Sequence, residues 1–206
     1  MKKGFFITLE GIEGAGKSTM VNFVENSLIK AGHDVVKTRE PGGTKIGEQI
    51  REILLNNENN KLTSDTELLL IFAARSQHMK EIIMPALSSG KTILCDRFTD
   101  ASYAYQGGGR GIDASRINLL EKWVQSDFRP NLTLLFDLDV SVGMERTKKR
   151  SKADRFEQEK SIFFEKVRTC YLKRAEDEAD RFRIINSELP LQKVKDEIAA
   201  VLKEIK

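Results

Sequence analysis

The residues Gly11-Ile12-Glu13-Gly14-Ala15-Gly16-Lys17-Ser18-Thr19 follow the spacing G-x-x-x-x-G-K-[ST] directly after a short apolar run, Phe5 to Leu9. Each residue type at that spacing suits a nucleoside triphosphate. Glycines let consecutive backbone N–H groups turn inward onto phosphate oxygens, and the helix that follows presents its positive end to the same anion. Lys17 brings a full charge to the β and γ phosphates, and Ser18 is placed to ligate magnesium. The sequence has no Asn-Lys-x-Asp guanine-reading element, which favours a small-substrate kinase over a regulatory GTPase. A kinase for another nucleotide or metabolite, and a non-catalytic nucleotide switch, are the competing readings.

A second set of charges follows other apolar runs. Asp96-Arg97 comes directly after Thr92 to Cys95, where a carboxylate could organise magnesium water and an arginine could grip a phosphate as a fork. Asp137-Leu138-Asp139 stands in the same relation to Leu132 to Phe136, and position alone does not choose between the two. Lys148 to Arg155 is dense in positive charge. A mobile basic segment there could close over transferring phosphates, whose chemistry needs positioning and charge more than a general base. His33 and His78 read as structural or exposed, and Trp123 reads as core or dimer packing among Leu119, Leu120 and Val124.

These groups need a scaffold. Apolar runs at 5–9, 35–38, 92–95, 132–136 and 182–185 alternate with amphipathic stretches, the pattern of a mainly parallel five-stranded sheet covered on both faces by helices. Ligands gather at the carboxyl ends of such strands. The longest helical pattern spans 65–89, with a capping box at Ser64-x-x-Glu67, a kink at Pro85 and a stop at Gly90. Residues 56–60 and the glycine run 107–111 read as loops. A chain of 206 residues is expected to form one domain. A net charge of +3 argues against a nucleic-acid binder. Its apolar runs are too short for a membrane span, and the separated Cys95 and Cys170 suit a reducing, cytoplasmic compartment.

Three further blocks make the pattern recognisable. Arg39-Glu40-Pro41-Gly42-Gly43, the run from Asp96 to Gly107, and Asp154-Arg155-Phe156-Glu157-Gln158-Glu159 follow the phosphate loop in that order, and together they resemble the bacterial thymidylate kinase family. The resemblance covers nearly the whole chain. It implies a three-layer P-loop kinase fold with a small lid near 148–156, transfer of the ATP γ-phosphoryl group to dTMP with Mg2+, and usually a homodimer. By matching position, Arg51 and Arg97 would hold the acceptor phosphate, Phe72 would stack on thymine, and Arg75 would reach a base carbonyl. Ile71 and Ser76 remain alternatives one residue away. Ser102, Tyr105 and Gln106 would line the base and sugar pocket, with Tyr105 excluding a 2'-hydroxyl and Glu13 meeting the 3'-hydroxyl. Arg150 resembles the lid arginine, and the Glu40-Pro41 peptide would be cis.

Overall fold

The computed structural model describes residues 4–148 and 154–205. Its strands are β1 (Phe5–Glu10), β2 (Val35–Arg39), β3 (Thr92–Asp96), β4 (Leu132–Asp137) and β5 (Phe182–Asn186), paired in parallel in the order β2-β3-β1-β4-β5. The three middle strands are almost wholly buried, as continuous apolar runs require. Register sets Leu9 opposite Asp96 and Asp96 opposite Arg39, so polar strand ends collect along one edge. That edge is the switch point where β1 is flanked by β3 on one side and β4 on the other.

Helices α1 (Lys17–Lys30), α2 (Lys45–Leu55) and α3 (Ser64–His78) come first. The N-cap of α3 is Thr63, whose Oγ1 accepts from Thr66 N at 3.2 Å, one residue before the predicted cap. Glu67 remains in the first turn of α3 but is buried. Beyond His78 the helical path continues as a π-turn (Met79–Ile83) and then α4 (Met84–Ser88), which carries Pro85. Proline removes an N–H and crowds the preceding turn, and the wider turn absorbs both effects.

The glycine run also differs from its reading as a free loop. After α5 (Thr99–Ser102) the chain forms a π-helical segment, Tyr103–Gly109. A Cβ on Gly108 would sit 2.9 Å from Lys166 O and Cys170 Cβ. These glycines therefore serve close packing against α8 (Ser161–Asp177) rather than free movement. The remaining helices are α6 (Ala114–Gln125), α7 (Val140–Lys148) and α9 (Leu191–Leu202). The main core joins Ile7, Leu9, Val24, Leu134, Val167 and Ile198. A second cluster packs Phe6, Ile93 and Phe98 beneath the π-turn, and a third joins Leu68 and Phe72 to Ile112 and Ile117. No described helix is long and apolar enough to cross a membrane.

Candidate active site

The phosphate loop turns on Gly14 (φ 75°) and Gly16 (φ 86°), and Gly16 caps α1. Gly14 accepts no side chain, because a Cβ there would strike the Gly143 backbone of α7. At the start of α1 the N–H groups of Thr19 and Met20 donate to Gly16 O at 3.0 and 3.1 Å, and the N–H groups ahead of them lie at the positive end of the helix, where an anion is favoured. Lys17 is buried, its Nζ donating to Gly11 O and Ile12 O at 2.9 Å each. Burial, reinforced by the nearby Arg97 guanidinium, lowers its pKa to about 8. Gly11 and Ile12, expected among the triphosphate contacts, are buried and give their carbonyls to Lys17.

A cavity of about 230 Å³ opens from this loop. It brings together Glu13 to Ser18, Arg51, Arg75, Asp96, Arg97, Ser102, Tyr105 and Gln106, together with Asp154, Phe156 and Glu157. Arg97 is the hub. Its backbone is left-handed (φ 68°), strained for a side-chain-bearing residue, and its Nη1 donates to Gly11 O and Tyr171 Oη. Nη2 donates to Glu13 Oε1 at 2.6 Å and Tyr105 Oη at 2.9 Å. Although burial opposes its charge, Glu13 and the surrounding phenols and carboxylates hold its pKa well above the ordinary arginine value.

Behind Arg97 sits Glu10, fully buried, accepting from Phe98 N and Tyr171 Oη at 2.7 Å each. Burial and the neighbouring Asp100 carboxylate push its pKa up to about 7, against the opposing pull of Arg97 and Tyr171. Neither Glu10 nor Tyr171 carries a motif signal, since each lies within an apolar pattern.

The other wall rests on Arg75, only 1% exposed. Its Nε donates to Glu40 Oε2 at 2.7 Å, and its Nη2 donates to Phe98 O and Ser102 Oγ. Glu40 Oε1 in turn meets His78 Nδ1 at 2.9 Å, and His78 Nε2 meets Thr38 Oγ1 at 2.7 Å, so His78 is structural. Arg75 Nη1 is buried with no partner. The Glu40-Pro41 peptide is cis, and Arg51 Nη1 donates to Pro41 O.

Phe72 does not face this cavity. It is buried against Leu68, Ile112 and Ile117, while Ile71, four residues before Arg75 on α3, lies on the cavity wall. The helical phase thus puts Ile71, the alternative one residue away, on the wall in place of Phe72, and Ser76 lies off the wall as well. Gln106 reaches the cavity with its Nε2 donating to Glu67 Oε1 at 2.8 Å.

Geometry also separates the two acidic strand ends. Asp137 is gripped by Arg168 at 2.7 and 2.9 Å, and Asp139 accepts from Ser141 N and Oγ. Asp96 Oδ1 is buried without a hydrogen-bond partner on the cavity that Ser18 also lines. Among the described residues no group of three His, Cys, Asp or Glu side chains could hold a metal by itself.

A second cavity of about 250 Å³ opens on the opposite side of the loop, between Thr19, Arg146, Ser187, Leu189, Leu191 and Val194. Arg146 donates to Ser187 O at 3.1 Å and reaches Gly14 O at 3.5 Å. Ser187, Leu189 and Val194 have no signature in the sequence beyond following the last strand. Arg150 and residues 149–153 lie outside the described residues. Cys95 and Cys170 are both free thiols, and burial pushes the pKa of each up.

The thymidylate kinase family model matches residues 9–198. The chain is 53% identical over 199 residues to a thymidylate kinase of Pseudomonas putida, covering 97% of this chain and 95% of that one. Against a thymidylate kinase of Vesicomyosocius okutanii the identity is 51% over 205 residues, with both chains covered completely. The fold superposes on the crystal structure of thymidylate kinase from Ehrlichia chaffeensis with a TM-score of 0.79 and 34% identity, covering 98% of this chain and 99% of that chain.

Proposed function

The chain belongs to the thymidylate kinase family, and from that membership we propose that the two cavities flanking its phosphate loop phosphorylate dTMP to dTDP with ATP, supplying dTTP synthesis. One observation carries the assignment of parts: two cavities of about 230 and 250 Å³ share a single phosphate loop, and cations stand on it from both sides. The loop N–H groups and Lys17 take the donor phosphates. Arg97 and Arg51 take the acceptor phosphate. Together they offset the repulsion between two anions that must approach to bonding distance, and the acceptor phosphate, already anionic, needs no general base.

Asp96 and Ser18 fit a magnesium ion that arrives on ATP. Asp96 Oδ1 is an orphaned buried carboxylate oxygen, and such an ion takes most of its ligands from phosphate and water. When bound, the ion supplies charge neutralisation of the donor phosphates. On the acceptor side Arg75 offers a donor to the base, Ile71 takes the ring face, and Ser102 and Gln106 complete the pocket. Tyr105 occupies the space of a 2'-hydroxyl, and Glu13 meets the 3'-hydroxyl. Within one domain, the segment 148–156 acts as the lid and Arg150 brings its cation to the transferring phosphoryl group. The chain enters that segment from the helix whose Arg146 touches the loop, and Asp154 lies on the cavity wall where it leaves.

Leu119 and Trp123 on α6 are 69% and 81% exposed, and Leu69 on the adjoining α3 is exposed too. An apolar face of this kind suits a homodimer. Sedimentation should give the dimer mass, with Trp123→Glu shifting it to the monomer; a wild-type monomer overturns this part. Free thiols and the lack of a spanning helix among the described residues support a cytoplasmic location, which recovery in the membrane fraction would refute.

ADP formation with ATP and magnesium against thymidine, deoxyuridine, cytidine, adenosine and guanosine monophosphates tests the whole reading. Transfer confined largely to dTMP is expected. Transfer to another acceptor keeps the kinase and discards the pocket, and no transfer to any leaves a binding module.

A further inference from the structure

Glu67 is a carboxylate 1% exposed, one turn before Ile71 on α3, and it does not line the acceptor cavity. Its Oε1 accepts from Gln106 Nε2 at 2.8 Å and Arg110 Nε at 3.3 Å. Arg155 Nη2 lies 2.6 Å from Oε2 as an ion pair, at an angle outside hydrogen-bond geometry. Burying a carboxylate is costly unless it is paired, and here two arginines and one amide surround it.

The amide has two chemically different ends, a donor NH2 and an acceptor oxygen, and by shape alone it could face the cavity either way. An ionised carboxylate only accepts. With the NH2 end committed to Glu67, the oxygen of Gln106 is the end left for the cavity. Close by on the same wall, Arg75 offers a buried N–H without a partner. One acceptor beside one donor matches the N3–H and O4 edge of thymine, whereas cytosine presents the reverse, an N3 acceptor and an N4 amine.

We propose that Glu67 is a positioning residue that enforces discrimination of thymine from cytosine by holding the Gln106 amide in one of its two orientations. This inference rests on the reading of the cavity as the dTMP site.

Glu67→Gln keeps the shape but can pair with either end of Gln106. It should lower the ratio of kcat/KM for dTMP over deoxycytidine monophosphate by about tenfold or more, since a reversed buried hydrogen-bond pair is worth at least that factor. A merely structural role lowers both substrates together and leaves the ratio unchanged. Adding Gln106→Glu to that variant returns an acceptor-only group to the cavity, and the dTMP preference should recover. An unchanged ratio in folded Glu67→Gln protein overturns the inference alone. Wild-type protein with no preference for dTMP overturns the dTMP reading and the inference with it. Should Glu67→Gln fail to fold, a crystal structure of wild-type protein with dTMP decides. Thymine N3 against Gln106 Oε1, with Nε2 still on Glu67, supports the inference, and N3 against any other group refutes it.

Discussion

The two sides of the phosphate loop are built differently. On the acceptor side Arg75, Glu40, Glu10 and Gln106 lie in the interior, each fixed by hydrogen bonds to other buried groups, and the half-buried Arg97 is tied to Glu13 and Tyr105. On the donor side the cavity is bordered by Leu189, Leu191 and Val194, with Arg146 donating to the backbone carbonyls of Ser187 and Gly14. A wall of interlocked charges rejects any ligand that leaves its members unpaired, while an apolar wall tolerates shape changes at low cost. The acceptor should therefore be selected strictly and the donor base loosely.

The strongest way to break this contrast is at its hub. Arg97→Ala should lower kcat by about 10³-fold or more, in the range known for arginines that neutralise transferring phosphoryl groups, while circular dichroism stays native. Near-normal turnover would remove Arg97 from its role. Next comes Glu40→Gln, which leaves Arg75 buried without its ionic partner and should cost about 3–5 kcal/mol in urea unfolding. Arg146→Ala, on the donor side, should cost no more than about 1 kcal/mol. Comparable losses would erase the contrast.

A pH series sharpens it further. In the proposed role Lys17 binds donor phosphate only when protonated, so with its pKa near 8 the kcat/KM for ATP should fall as pH rises above about 8, approaching tenfold per unit. A flat profile to pH 10 would show that Lys17 keeps its charge. Glu10 works in the opposite compartment. Its folded-state pKa of about 7 lies above the ordinary 4.5, so its contribution to stability is full below about pH 4.5 and lost as pH rises through 7. Stability differences between wild type and Glu10→Gln should shift across that window and stay constant above it. The smallest effect is expected from Val194→Ala, with less than a tenfold rise in KM for ATP.

The sequence was legible where one physical rule dominated. Buried parallel strands are uninterrupted apolar runs, and each of the five appears within a residue of its predicted bounds. The phosphate loop is local, so its spacing suffices. Helical phase is weaker information, because Ile71 and Phe72 are both apolar and both buried, and only packing against α6 tells which one turns away. The glycine run misled because its freedom is consumed by a long-range neighbour, α8. Least visible were Glu10, the burial of Glu67, which the spacing marks only as part of a helix cap, and the burial of Arg75, which the family resemblance alone places at the site. A hydropathy pattern reads buried charges as surface, and the partners that make burial tolerable lie up to 161 residues away, as with Glu10 and Tyr171.

Trp123 is the chain's only tryptophan, and it stands 81% exposed on the outer face of α6. Its ring reports on one place only. Intrinsic tryptophan emission should shift when that face is covered and stay comparatively silent when nucleotide enters the cavities, giving a label-free optical signal that separates subunit association from substrate occupancy.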